Sequence, residues 1–292
     1  MNSKTKPAGL HPLLILLILG IPLLHSSCSR YLYAPTGPQM VGLQEQGDLK
    51  VSLGHSRMGP ENYSGTIRRH NYNLQLAYSP LPNLGVHASA ALFRDVSGLD
   101  SLPVQFSSVN REFFSSDFGD LAVAHYHILN GKAYSYQKGN LLVWENSLGM
   151  GLGQIRYNND GIGQVEVNLR KYYLQTHFYY QFKDNFSLGL AVRPTWISYQ
   201  QADATGALPS DFFSRVQELE LVNPVFLVEY GLRMQGGWRT VKLFMSTVLS
   251  LTNASHRELV GTEYLYLPVT TSLGVVFDLD EFSRKRKSLK PW

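Results

Sequence analysis

From Leu49 to Phe277 the chain repeats one pattern, with apolar side chains at every second position and polar or small ones between. A period of two places successive side chains on opposite sides of an extended strand, so each such stretch has one greasy face and one wet face. Tyr72, Leu74, Leu76 and Tyr78 alternate with Asn71, Asn73, Gln75, Ala77 and Ser79. Phe186, Leu188, Leu190, Val192 and Trp196 alternate with Ser187, Gly189, Ala191, Arg193 and Thr195. Near the C-terminus Leu265, Leu267, Val269, Thr271, Leu273, Val275 and Phe277 share one face.

Ten segments carry the pattern, at 48–57, 68–80, 84–94, 118–129, 139–157, 165–182, 186–199, 217–235, 239–251 and 263–279. Most exceed the roughly 5–6 residues of an ordinary globular strand, and several reach the ~9–11 that cross a bilayer at a tilt. The connections alternate as well. Short ones fall at 81–83, 183–185 and 236–237, with a middling one at 130–138. Longer ones fall at 58–67, 95–117, 158–164, 200–216 and 252–262. Short turns at one rim and long loops at the other predict an all-β, antiparallel, up-and-down transmembrane β-barrel of about ten strands. Charged residues make up 16% of the chain and aromatics 12%, with seventeen tyrosines. That charge fraction lies below the ~25% of soluble domains and suits strands facing lipid on one side. A soluble β-sandwich also alternates, and it stands as the rival architecture.

Ahead of the strands, Lys4 and Lys6 precede an apolar run from Leu13 to Leu24, which ends at Ser26-Ser27-Cys28. The run is too short for the ~20 residues of a spanning helix and fits a signal-peptide core. Small residues before the single cysteine resemble the lipobox of bacterial lipoproteins, with His25 at the position where leucine is usual. The resemblance implies cleavage after residue 27 and acylation of Cys28. An ordinary secretory signal or an uncleaved anchor is the alternative. One cysteine excludes an intrachain disulfide and any multi-cysteine zinc site. The formal net charge of +4, two units of it in the leader, gives no ground for nucleic-acid binding.

Over 49–279 the strand pattern resembles the outer-membrane β-barrel proteins of Bacteroidota. It departs from them in the tail after Phe277, where Asp280 to Trp292 is rich in Arg and Lys. The expected organisation is a signal peptide at 1–27, a lipidated linker at 28–47 that could alternatively plug the barrel, the barrel at 48–279, and a basic tail at 280–292. The resemblance implies the outer membrane as address and its lipid as partner. Other envelope partners are not specified.

Assigning faces gives an inner surface with Lys50, His87, Glu145, Lys171, His177, Arg193, Glu229, Arg233 and Lys242. If the fifth and sixth segments close near Tyr157 and Val165, Glu145 falls opposite His177, with Arg193 close to the same level. A carboxylate–imidazole pair beside a guanidinium could act as a general base with an anion clamp. Interior charges that pair to fill a narrow barrel are the structural alternative. If the third and fourth segments close near Arg94 and Phe118, His87 meets His125, with His127 two residues along. Three imidazoles there could hold zinc or copper. That site requires the His125 face to point inward, although Leu121 and Val123 share its parity. Carboxylates in loop 95–117 (Asp95, Asp100, Glu112, Asp117) could bind cations at the rim. No phosphate loop, nucleophile elbow or HExxH occurs. The reading that follows is a non-enzymatic barrel without cofactor, in a structural, binding or narrow-pore role. A barrel-embedded hydrolase acting on lipid or peptide is the alternative.

Overall fold

The computed structural model describes residues 38–39, 42–58, 66–98, 112–130, 140–159, 163–182, 186–206, 224–238, 240–252 and 269–279. The leader, Cys28 and the basic tail lie outside them. Ten strands follow in chain order: β1 (Leu49–Met58), β2 (Thr66–Leu81), β3 (Leu84–Gly98), β4 (Glu112–Asn130) and β5 (Leu141–Asn159). They continue with β6 (Gly163–Phe182), β7 (Phe186–Gly206), β8 (Val225–Gly237), β9 (Val241–Thr252) and β10 (Val269–Asp278). Each pairs antiparallel with its neighbour in sequence, and β1 pairs with β10, from Lys50↔Asp278 to His55↔Leu273. The sheet is a closed barrel, so no edge strand is left with unpaired backbone groups.

The expected strands appear with small shifts at their ends. Residues 217–223 and 263–268, expected as strand, lie outside the described residues. The larger change is at the long-connection rim. β3 and β4 zip up to Ser97↔Glu112, so Asp95 and Asp117 sit on strands rather than in a loop. β5 and β6 pair up to Asn159↔Gly163, which leaves three residues to connect them. Among the described residues β4 to β7 run 19 to 21 residues, and β1 and β10 run 10 each.

The two faces invert the order of a soluble protein. Leu148, Leu243 and Leu273 point outward and are 66%, 66% and 61% exposed, while Lys171, Arg193 and Glu229 point inward and are buried. On β6 the outward residues run Tyr172, Leu174, Thr176, Phe178, Tyr180 and Phe182. At ~3.4 Å per residue and a tilt near 40°, that ladder covers about 25 Å, the height of an apolar membrane band. Its one polar member, Thr176, donates to Asn146 on the neighbouring strand at 2.9 Å.

Aromatics concentrate at both ends of the band. Trp144 stacks with Phe178, and Phe182 meets Phe186, at the short-turn end. Trp196 packs on Phe226 at the other. Rings with one wet and one greasy side favour these two levels. At the long-connection ends of β3 to β6 an outward ionic ladder rises above the band. Arg94 bonds Asp117 at 2.8 Å, and Arg156 lies 3.7 Å from Asp117 and 3.4 Å from Glu166. Asp117, expected as a rim cation ligand, is thus held by arginines.

Candidate functional site: the filled lumen

Ten tilted strands leave a narrow interior, so inward side chains from opposite walls must either meet or leave voids. Here they meet. At the short-turn end Tyr126 bonds Ser79 at 2.9 Å and Gln235 donates to the Tyr179 hydroxyl at 3.0 Å. Higher up, Arg233 on β8 crosses to β1 and β2, donating to Ser52 at 2.9 Å and Gln75 at 3.2 Å. Its guanidinium also lies 3.8 Å from the ring centre of Phe244.

The middle of the lumen holds two linked ion pairs. Lys171 donates to Asp120 at 2.6 Å, and Arg193 donates to Glu229 at 2.6 Å. Thr195 gives the same Glu229 oxygen a second bond at 2.8 Å. The Tyr173 ring separates the two cations, 5.3 Å from the Lys171 ammonium and 5.1 Å from the Arg193 guanidinium. Room for this chain comes from glycines on β5. A side chain at Gly149 would strike the Tyr173 ring, and one at Gly151 would strike the Asp120 carboxylate. Above this level Phe93, Phe118, Ile155, Val167 and Leu169 are buried beside the inward polar residues Ser56, Asn71 and Ser116, so large apolar side chains join the polar or small ones expected on this face.

A further filler comes from the segment before β1. Residues expected as a linker through 47 instead lie inside the barrel at 38–39 and 42–44, and the chain turns at 45–48 along the rim into β1. The side chain of Gln175 grips the main chain of Gln39 at both ends, accepting from its N–H at 3.0 Å and donating to its carbonyl at 2.7 Å. Lys50 donates to the Gly42 carbonyl, and Gln44 donates to Gln181 at 2.6 Å. Leu43 is completely buried with Ala77, Tyr126, Val143, Tyr179, Phe244 and Val276. Of the two readings left open for this stretch, the plug describes residues 38–39 and 42–44.

The inner polar residues fall into separate groups. Glu145 pairs across strands with His177, in the register expected from Tyr157↔Val165. Ala191 faces His177, so Arg193 stands two residues along, also as expected. Arg193, however, is bound to Glu229 and supplies no anion clamp to Glu145. Glu145 instead meets His87, with 3.2 Å between its Oε1 and His87 Nε2. Arg233 belongs to the β1–β2 crossing, and Lys242 lies half-buried at the short-turn end, opposite Gly237.

The His87–His125–His127 site is overturned. Arg94 pairs with Ser115 rather than Phe118, so His87 faces Ala122 and His125 faces Leu84. A shift of three residues is odd, and an odd shift exchanges the two faces of a strand. His125 and His127 therefore point outward beside Trp144, among the interface aromatics, and His87 points inward. Asp120 was missed for the same reason, since it shares the inner face with Ala122 and Ala124. The parity of Leu121 and Val123 was the available signal.

No family model and no curated protein sequence matches the chain. Solved structures similar to it include the KdgM porin, at 10% identity and TM-score 0.30, covering 79% of this chain and 98% of that one. An outer-membrane channel from Pseudomonas putida F1 aligns at 13% identity and TM-score 0.37, over 82% and 98% of the two chains. The translocator domain of the autotransporter NalP from Neisseria meningitidis aligns at 9% identity and TM-score 0.36, over 82% and 90%.

Proposed function

We propose that this chain is an outer-membrane barrel, delivered by a cleaved leader and anchored through acylated Cys28, whose lumen is closed at rest. Its role is structural or binding rather than that of an open diffusion pore. The inside-out distribution of side chains supports the membrane setting, with the short-turn rim toward the periplasm. The grip of Gln175 on the Gln39 main chain is the observation that carries the closed state. A side-chain amide that satisfies both backbone groups of one residue replaces the water an open channel would hold there. Glu145 and His177 are each 1% exposed, which favours this reading over hydrolysis of lipid or peptide.

In planar bilayers the mature protein is expected to be silent. Deleting residues 29–47 in a variant that also carries Lys171→Ser and Arg193→Ser is expected to produce discrete conductance steps, because it removes both the N-terminal filler and the cations that span the middle of the lumen. Steady steps from the intact protein would remove the closed reading. Silence of that variant, with folding verified by heat-modifiable gel migration, would show that these fillers are not what closes it.

A further inference from the structure

The outward face of β5, β6 and β7 changes character within two residues. Tyr172 stands at the top of the apolar band, pairing with Met150 on one side and with Trp196 on the other. The next outward row is Leu152, Arg170 and Ser198, again cross-strand partners. Two residues of a strand tilted near 40° rise about 5 Å. A bilayer carries roughly 5–8 Å of headgroup region on each side of its hydrocarbon, so the Arg170 row stands in that layer. The Arg170 side chain is exposed there. The row above it is Gln154, Asn168 and Gln200, all amides. The nearest outward carboxylate on β6 is Glu166, four residues up, and it lies 3.4 Å from Arg156.

A guanidinium presents five N–H donors in a flat fork and takes phosphate oxygens two at a time. In the ladder above, Arg94 and Arg156 are engaged by Asp117 and Glu166. Arg170 has no carboxylate on its own row or on the rows next to it, so its counter-charge comes from the layer in which it stands. The amide row suits a ligand that continues upward as a sugar, because amides both donate to hydroxyls and accept from them. A phospholipid headgroup reaches little beyond its phosphate. With the short-turn rim toward the periplasm, this row lies in the outer leaflet, and the inference rests on that orientation. We infer that Arg170, with Ser198 beside it and Asn168 and Gln200 above, docks the phosphorylated headgroup of an outer-leaflet glycolipid. The phosphate lies on the guanidinium, the sugar against the amides, and the acyl chains along the exposed Tyr172 and Leu174 below.

The test titrates mature protein in a non-ionic detergent with three lipids: lipid A carrying its phosphates, the same lipid A dephosphorylated, and phosphatidylglycerol. Bound lipid is counted by native mass spectrometry. Saturable binding of the phosphorylated lipid A is expected, ahead of both others. Arg170→Gln should weaken it about tenfold or more, through loss of a charge-assisted contact, and Arg170→Lys should weaken it less. Arg156→Gln removes the same charge and should have a much smaller effect, because that guanidinium already holds carboxylates. Folding of each variant is checked by heat-modifiable gel migration. Equal losses in the two glutamine variants, or unchanged binding in Arg170→Gln, would overturn the site. So would equal binding of dephosphorylated lipid A or of phosphatidylglycerol. Orientation is read separately, by labelling Asn158→Cys on intact cells with an impermeant maleimide, the parent protein serving as blank. Asn158 is exposed at the long-connection end of β5. Failure to label would overturn the orientation and the docking site with it. Labelling together with failure of the lipid titration strikes the docking site alone.

Discussion

Replacing Leu148 by arginine is expected to destabilise the barrel by about 2–4 kcal/mol in phospholipid vesicles, the cost of a cation at the midplane of a lipid-facing wall. Leu148 points outward from β5, between Val123 on β4 and Leu174 on β6, roughly midway between the two aromatic levels. The same change at Leu81, outward at the short-turn rim, is expected to cost about 0–1 kcal/mol, because the side chain there reaches water and headgroups. Unfolding by urea, followed through tryptophan fluorescence, gives both values. In a soluble barrel the two leucines would be ordinary surface residues, and arginine at either would stay within about 0.5 kcal/mol. Equal costs at both positions would therefore remove the bilayer from the account. The contrast between depths matters more than either number, since only a solvent with a dry centre and wet margins produces it.

The same alternation that locates Leu148 explains which parts of the molecule were legible in the sequence. Faces follow from parity, and parity is fixed wherever one side of a strand is greasy. Tyr72 to Tyr78 and Phe186 to Trp196 therefore read correctly. Register follows from turns, so it is legible only where a turn is tight. β5 and β6 are joined by only three residues, and Glu145 falls opposite His177 as expected. The connection between β3 and β4 is long enough to leave several registers open, and the observed one differs by three residues. That one slip sends His125 and His127 to the lipid face and Asp120 to the lumen. The plug was legible only as an alternative to a linker. The stretch before β1 has no period of its own, and the places of Gln39, Gly42 and Gln44 are set by Gln175, Lys50 and Gln181, which lie far away in sequence or face the lumen for separate reasons. The strength of the lumen is likewise a matter of pairing rather than composition. Arg193 and Glu229 are recognisable as inward residues, but only the register Arg193↔Glu229 makes them partners.

That pairing supports the largest expected effect. Glu229→Gln keeps the shape of the side chain and removes its charge, leaving the Arg193 guanidinium fully buried without its carboxylate partner. Breaking one side of a buried pair costs about 3–5 kcal/mol, because the remaining ion has lost both water and counter-charge. Thr195, which donates to the same oxygen, keeps an acceptor in the amide carbonyl and does not soften the loss. Glu166→Gln is the control. Glu166 faces outward on the ionic ladder, 3.4 Å from a half-exposed Arg156, where solvent screens the pair and its loss is worth about 0–1 kcal/mol. Urea unfolding in vesicles should separate the two by several kcal/mol. The double change Arg193→Met with Glu229→Leu should recover much of the deficit, since apolar residues of similar volume replace a buried pair at little cost. If Glu229→Gln proves as mild as Glu166→Gln, the middle of the lumen is hydrated. The filled interior on which the closed state rests then gives way to a water-lined passage.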